Sequence, residues 1–260
     1  MNICGLQKTT LLDYPGRVAS TIFLGGCNFR CPFCHNSDLL DGCAEHPFSV
    51  PDVLAFLKKR SNVLEGVCIT GGEPTLHPEL EDFIRKIRSL GLAVKLDTNG
   101  FRPEVLKRLC EQSLIDYAAM DIKAGRANYG RACGVPGISL APIEESVSFL
   151  LSGAVPFEFR TTVVRELHSE EDFIDIAQWI NGCSSYFLQS YQDSENVLTP
   201  GFSACSKEEL LHYLDIVQSL RQNRQTARSR LESHVISNSP PARLYTSIQN
   251  SRPLTAVFLT

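Results

Sequence analysis

Cys27, Cys31 and Cys34 fall within eight residues and follow Gly25-Gly26 at the end of an apolar run. Gaps of three and then two residues let one loop present three thiolates to a single inorganic centre. A four-iron cluster held by three cysteines leaves its fourth iron without a protein ligand. An open coordination position is what binding a substrate to a metal requires. Spacing alone also allows a tetrahedral zinc ion with Cys43, Cys4 or His35 as fourth ligand. Zinc sites usually pair two CxxC-like hooks, and this chain offers one hook and an orphan cysteine. The other cysteines (Cys4, Cys43, Cys68, Cys110, Cys133, Cys183 and Cys205) have no regular spacing and read as small apolar packing residues.

Four further groups carry polar chemistry next to apolar runs. Thr70-Gly71-Gly72-Glu73-Pro74 combines glycines, which let a backbone approach a ligand, with a carboxylate that can accept from an ammonium. Read alone, it is a loop with a solvated glutamate. Asp97-Thr98-Asn99-Gly100 reads alone as an Asn-Gly turn. Asp121 and Lys123 lie two apart on a strand and point the same way, as a surface ion pair would. Arg160 reads as an arginine whose stem lies along apolar surface while its head reaches the rim.

These groups need a scaffold that brings strand ends together. Six runs read as strands: Val18–Leu24, Gly66–Thr70, Ala93–Asp97, Tyr117–Ile122, Phe157–Val164 and Ser185–Gln189. Several are continuously apolar, as in a parallel sheet covered on both faces. Helical patterns follow each of them: Val50–Arg60 behind Ser49, Pro78–Leu90, Pro103–Cys110, Pro142–Leu151, Ser169–Ile180 and Ser206–Leu220. The alternation demands an α/β architecture with right-handed crossovers, either an open partial barrel or a doubly wound sheet. In both, function sits in the loops after the strand C-terminal ends, where all of the groups above fall.

The 260 residues, 43% hydrophobic and 21% charged, fit a soluble globular chain with a formal net charge of -4. No global basic field recruits nucleic acid, and no apolar run is long enough for a membrane span. Residues 1–25 lack the pattern of a secretory signal, so the expected compartment is the cytoplasm. Residues 1–222 read as one barrel domain. Residues 223–260, with five arginines, one acid and many small polar residues, read as a disordered or atypical tail.

Cys27-Asn28-Phe29-Arg30-Cys31-Pro32-Phe33-Cys34, with an aromatic residue before the last cysteine, resembles the CxxxCxxC signature of the radical S-adenosylmethionine superfamily. The longer string from Asp13-Tyr14-Pro15-Gly16 through His35-Asn36 resembles the glycyl-radical-enzyme activating enzymes, and among them the anaerobic ribonucleoside-triphosphate reductase activating proteins. The resemblance covers about residues 1–220. It implies a partial (βα)6 TIM-type barrel with a [4Fe–4S] cluster on Cys27, Cys31 and Cys34. It also implies reductive cleavage of S-adenosylmethionine to a 5′-deoxyadenosyl radical and a glycyl radical made on a partner enzyme.

By the same resemblance, Gly71, Gly72 and Glu73 hold the methionine amino group and Lys123 the carboxylate. Phe33, Asn99 and Arg160 face the cofactor. Asp97, Thr98, Asp121 and the carbonyl of Ala119 match a monovalent-cation site. The implied partners are an anaerobic ribonucleotide reductase and an electron donor such as flavodoxin or ferredoxin. Alternatives are a pyruvate formate-lyase type of partner, a radical enzyme acting on a small molecule, and a zinc-binding interaction protein. A related activase type carries a cofactor-contacting histidine where this chain has Gln189-Ser190-Tyr191-Gln192, which leaves the sixth-strand contact open.

Overall fold

The computed structural model describes residues 1–43 and 47–220, so the expected tail and the domain limit at residue 222 lie outside the described residues. Seven strands form one sheet in chain order: β1 (Ile3–Thr10), β2 (Ala19–Leu24), β3 (Gly66–Gly71), β4 (Ala93–Thr98), β5 (Tyr117–Asp121), β6 (Phe157–Val163) and β7 (Tyr186–Ser190). β1 runs antiparallel to β2, and every later pair is parallel. The sheet is open. The six parallel strands and the helices between them form the expected partial barrel. No helix among the described residues is long and apolar enough to cross a membrane.

The helices are α1 (Val50–Arg60), α2 (Leu80–Arg88), α3 (Pro103–Glu111), a short α4 (Tyr129–Ala132), α5 (Ala141–Leu151) and α6 (Glu170–Trp179); residues 207–220 are also helical. Local chemistry sets their ends. Ser49 accepts from the Asp52 N–H at the start of α1, and Ser169 with Asp172 forms a capping box on α6. Gly91 and Gly153 end the turns after α2 and α5 with φ of +80° and +81°. Leu80, Phe83, Ile84 and Ile87 of α2 are buried in one cluster with Val94 and Leu96 of β4.

Two elements differ from expectation. β1 was not anticipated, because Gln7, Lys8 and Thr9 are exposed and interrupt an apolar pattern. Cys4 on β1 is joined to Cys43 in a disulfide, so these two are neither lone packing residues nor zinc ligands. The bond ties β1 to the residues after the short turn Ser37–Leu39. No spacing rule reveals a pair separated by 39 residues.

The inner face of the sheet is polar. β4 alternates, with Val94 and Leu96 toward the helices and Lys95 and Asp97 on the opposite face. Lys95 is 1% exposed. Register carries the polar row across the strands: Asp97 lies beside Ala119 and Asp121 beside Arg160. At the N-terminal end of the strands, buried Tyr14 meets the Tyr117 ring at 6.2 Å. Within the Asp13–Gly16 string it is Tyr14 that plugs the end of the sheet away from the cysteines, while Pro15 and Gly16 are exposed.

Asp172 links α6 to the loop after β5. It accepts from the backbone N–H of Gly125 and of Ser169, each at 3.0 Å, and from the Asn128 amide at 3.2 Å. Asp172→Ala leaves the buried Gly125 N–H and two partly buried donors unpaired and is expected to cost about 1–3 kcal/mol, read as a lower urea midpoint at unchanged slope. An unchanged midpoint would mean the loop is held by other contacts.

Candidate radical cofactor site

The loop carrying the three cysteines is stitched to its neighbours by backbone bonds. Gly26 N–H donates to the Leu39 carbonyl at 2.6 Å and Cys27 N–H to the Leu40 carbonyl at 3.0 Å. Glu73 N–H donates to Gly26 O at 2.8 Å, and Arg30 N–H to Cys133 O at 2.9 Å. The last contact needs Gly134, since a Cβ there would strike the Arg30 carbonyl. The Arg30 guanidinium returns to the Cys27 carbonyl and to Asp41, each at 2.6 Å. Burial pushes the Cys31 thiol up to about 12 and raises Cys27 and Cys34 as well, while the nearby Lys123 ammonium acts to lower all three.

The structure brings most of the expected residues to one cleft. Cys27, Cys31, Phe33, Cys34, Gly71, Gly72, Asp97, Thr98, Asn99, Asp121, Lys123 and Arg160 line it, together with His35, Asn36, Thr162 and Gln189. Glu73 and Ala119 do not. Asp97, Asp121, Lys123 and Arg160 form a connected row. Arg160 Nη1 meets Asp97 at 3.1 Å and its Nη2 meets Asp121 at 2.9 Å. Lys123 reaches Asp121 at 2.9 Å and Lys95 reaches Asp97 at 2.5 Å.

No three His, Cys, Asp or Glu donors among the described residues converge on a single ion position. Cys4 and Cys43 are bonded to each other, so two of the candidate fourth ligands are spent. Three thiols spread over one cleft suit a multi-iron cluster with one iron left open.

A family model described as the radical SAM superfamily matches residues 21–180. The chain belongs to the radical SAM superfamily.

A Methanocaldococcus jannaschii protein with the provisional name of glycyl-radical enzyme activating enzyme is 32% identical over 197 residues, 74% of this chain and 81% of that protein. A Hyperthermus butylicus protein named 7-carboxy-7-deazaguanine synthase is 38% identical over 92 residues, which are 35% of this chain and 38% of that protein. Among solved structures, Streptococcus suis SuiB bound to S-adenosylmethionine aligns with a TM-score of 0.60 at 13% identity, over 78% of this chain and 49% of that one. At that identity the likeness speaks for the fold. The cofactors of this radical SAM protein are a [4Fe–4S] cluster and S-adenosylmethionine, and the cleft suits both. Three thiols, a lysine and main-chain polar groups line it.

The residues of the Gly71-Gly72-Glu73 motif have structural roles of their own. Gly71 and Gly72 are required by the packing of backbone on backbone. A Cβ on Gly71 would strike Leu24 backbone and one on Gly72 the Gly26 carbonyl, so the pair lets this loop lie against the cysteine loop. Glu73 is not a solvated loop residue, nor does its carboxylate face the cleft. It is 0% exposed. One oxygen accepts from Thr75 N–H at 3.1 Å, the Thr75 hydroxyl at 2.5 Å and the Thr98 hydroxyl at 2.8 Å; the other accepts from Asn99 N–H at 2.7 Å. Burial raises its pKa despite these four donors. Glu73 ties the β3 loop to the β4 loop and leaves the backbone of Gly71 and Gly72 at the cleft.

Asn99 extends the tie: its amide donates to Asn28 beside Cys27 at 2.8 Å. His168 went unnoticed in sequence, because a lone histidine gives no signal. Its Nε2 lies 2.9 Å from the Lys123 carbonyl, which can only accept, so Nε2 donates there, while Nδ1 lies against the Val164 backbone. Its ring also lies at 6.5 Å from Phe33. Lys95 and Glu158 were missed as well, although their alternation with apolar neighbours on β4 and β6 marks a polar inner face.

The Asp97 carboxyl is held below its ordinary value of 3.8: burial opposes this, and Arg160 followed by Lys95 outweighs it. A depressed carboxyl contributes stability above its unfolded pKa and loses it as pH falls through the folded value. Asp97→Asn should therefore cost about 3 kcal/mol or more at pH ~7 by leaving buried cations unpaired. The gap to wild type should stay constant above pH ~4 and begin to narrow as urea unfolding is repeated below it. A gap independent of pH would show that Asp97 acts by shape and not by charge.

Proposed function

We propose that this protein is a glycyl-radical-enzyme activase, and that its partner is an anaerobic ribonucleoside-triphosphate reductase. The similarity to the M. jannaschii protein carries the first part, because it runs through 74% of this chain and 81% of the relative. The cleft is consistent with a protein substrate. The sheet is open, and exposed His35 and Gln189 stand at the cleft among its lining residues. A glycine on another chain must reach such a cleft, which a closed barrel would prevent.

When bound, the cluster and S-adenosylmethionine supply reductive cleavage of the sulfonium carbon–sulfur bond and a carbon radical that removes hydrogen from glycine Cα. The chain's own residues orient and shield that chemistry. Cys27, Cys31 and Cys34 would hold the cluster. The Lys123 ammonium, with its backbone fixed by His168, receives the carboxylate. Carbonyls of the Gly71-Gly72 stretch accept from the ammonium. Phe33 and Phe29, both buried, keep water from one side. Residues 1–222 are the catalytic domain in this reading. The enzyme acts in the cytoplasm, with flavodoxin or ferredoxin as donor.

The 7-carboxy-7-deazaguanine synthase similarity makes a small-molecule substrate the second reading. Anaerobically purified protein, reductant and S-adenosylmethionine, incubated with anaerobic ribonucleotide reductase, should yield one glycyl radical signal in paramagnetic resonance and 5′-deoxyadenosine in equal amount. Replacing any one of Cys27, Cys31 and Cys34 with Ala should remove the brown colour and reduce both products to background. Cleavage without a radical on the reductase, or on a pyruvate formate-lyase type of partner, would favour the small-molecule reading. Cleavage retained in a cysteine variant would sink the assignment of the cluster ligands.

A further inference from the structure

We propose that Arg160 is the resident cation of this cleft, standing where the family resemblance implies a monovalent metal ion, so that the site takes no such ion while the guanidinium is present. Each carboxylate oxygen near that place already has a side-chain cation. Asp97 gives Oδ1 to Lys95 at 2.5 Å and Oδ2 to Arg160 Nη1 at 3.1 Å. Asp121 gives Oδ1 to Arg160 Nε at 3.0 Å and Nη2 at 2.9 Å, and Oδ2 to Lys123 at 2.9 Å. All three guanidinium nitrogens are used. The Thr98 hydroxyl is already engaged away from the carboxylates: it donates to Glu73 at 2.8 Å and accepts from Gly100 N–H at 3.1 Å.

Charge leads to the same conclusion. Asp97, Asp121 and Glu158 face Lys95, Arg160 and Lys123 in one connected set. A further metal cation would add an unbalanced positive charge to a row that is mostly buried, which is costly. A planar fork can bridge two carboxylates without shedding a hydration shell of the kind a metal ion carries.

The register explains the reach. Arg160 sits beside Asp121, and Asp97 sits beside Ala119. The guanidinium must cross β5 to reach Asp97, and the single methyl of Ala119 leaves that path open. Ala119 contributes by being small. With Arg160 neutralising Asp121, Lys123 is free to turn to another carboxylate.

The test is thermal unfolding of the full-length, anaerobically purified protein in KCl, NaCl and choline chloride at one ionic strength. Wild type should give one midpoint in all three salts. Arg160→Gln should unfold at lower temperature in choline and recover about 3 °C or more in KCl or NaCl, with saturation, because two carboxylates are then exposed to the ion. A wild-type midpoint that rises saturably with either metal ion overturns the proposal, and so does an Arg160→Gln protein indifferent to the salt. If the variant folds only in KCl or NaCl, that is the rescue. If it folds in none, the wild-type comparison decides alone, equal midpoints supporting the proposal and a metal-dependent rise overturning it. Wild-type affinity for S-adenosylmethionine should also match within about twofold between KCl and choline chloride. That readout needs the proposed cofactor site and the unfolding readout does not, so the two failures are separable.

Discussion

A row of charged side chains lies on the inner face of the sheet, and the site depends on each being paired. Lys95 and Glu158 are almost fully buried, and Asp97 and Arg160 keep only 12% and 16% side-chain exposure. Unpaired, any of these would cost several kcal/mol or change its protonation state. Paired, they fix the position of neighbouring strands from within, as the apolar layer of Val94, Leu96 and the α2 side chains does from outside. The parallel register turns a one-dimensional alternation along β4, β5 and β6 into a two-dimensional lattice of opposite charges.

That lattice ends where the cofactor chemistry begins. Above it, Glu73 serves as a keystone whose two oxygens gather donors from its own loop and from the β4 loop. Through Gly26 and Asn28 the same assembly holds the cysteine loop. The motif's glycines and glutamate therefore act together: the glycines allow backbone to lie on backbone, and the buried carboxylate locks the result. A ligand then meets a preorganised surface of main-chain groups, which costs less ordering than mobile side chains.

Much of this was legible in the sequence. The cysteine spacing, the strand-helix alternation and the location of each polar group at a strand end are local patterns, and the fold follows them within a residue or two. What was not legible depended on tertiary distance or direction. Cys4 and Cys43 lie in segments with no periodic relation. Glu73 looked like an exposed loop residue because sequence gives a residue's type and not the side to which it turns. β1 carries Gln7-Lys8-Thr9 on an edge, where exposed polar residues are tolerated and the alternation is lost. Lys95 and Glu158 had a readable signal, an ion at every second position in an otherwise apolar strand. It was passed over because parallel strands are expected to be apolar throughout.

Lys123 is where the two halves of the site meet. Its ammonium pairs with Asp121 and acts to lower each of the three cysteine thiols, while its carbonyl is gripped by His168. A cluster held by these thiols, as proposed above, would be an anionic assembly to which reduction adds a further electron. A nearby cation inside a site of low polarity stabilises that added charge more than water would. The cation cannot be shared freely. If Lys123 were the sole partner of Asp121, turning it toward a carboxylate would leave a half-buried acid without a cation. Arg160 removes that conflict by neutralising Asp121 from the far side, which makes the lysine available without disturbing the row beneath it.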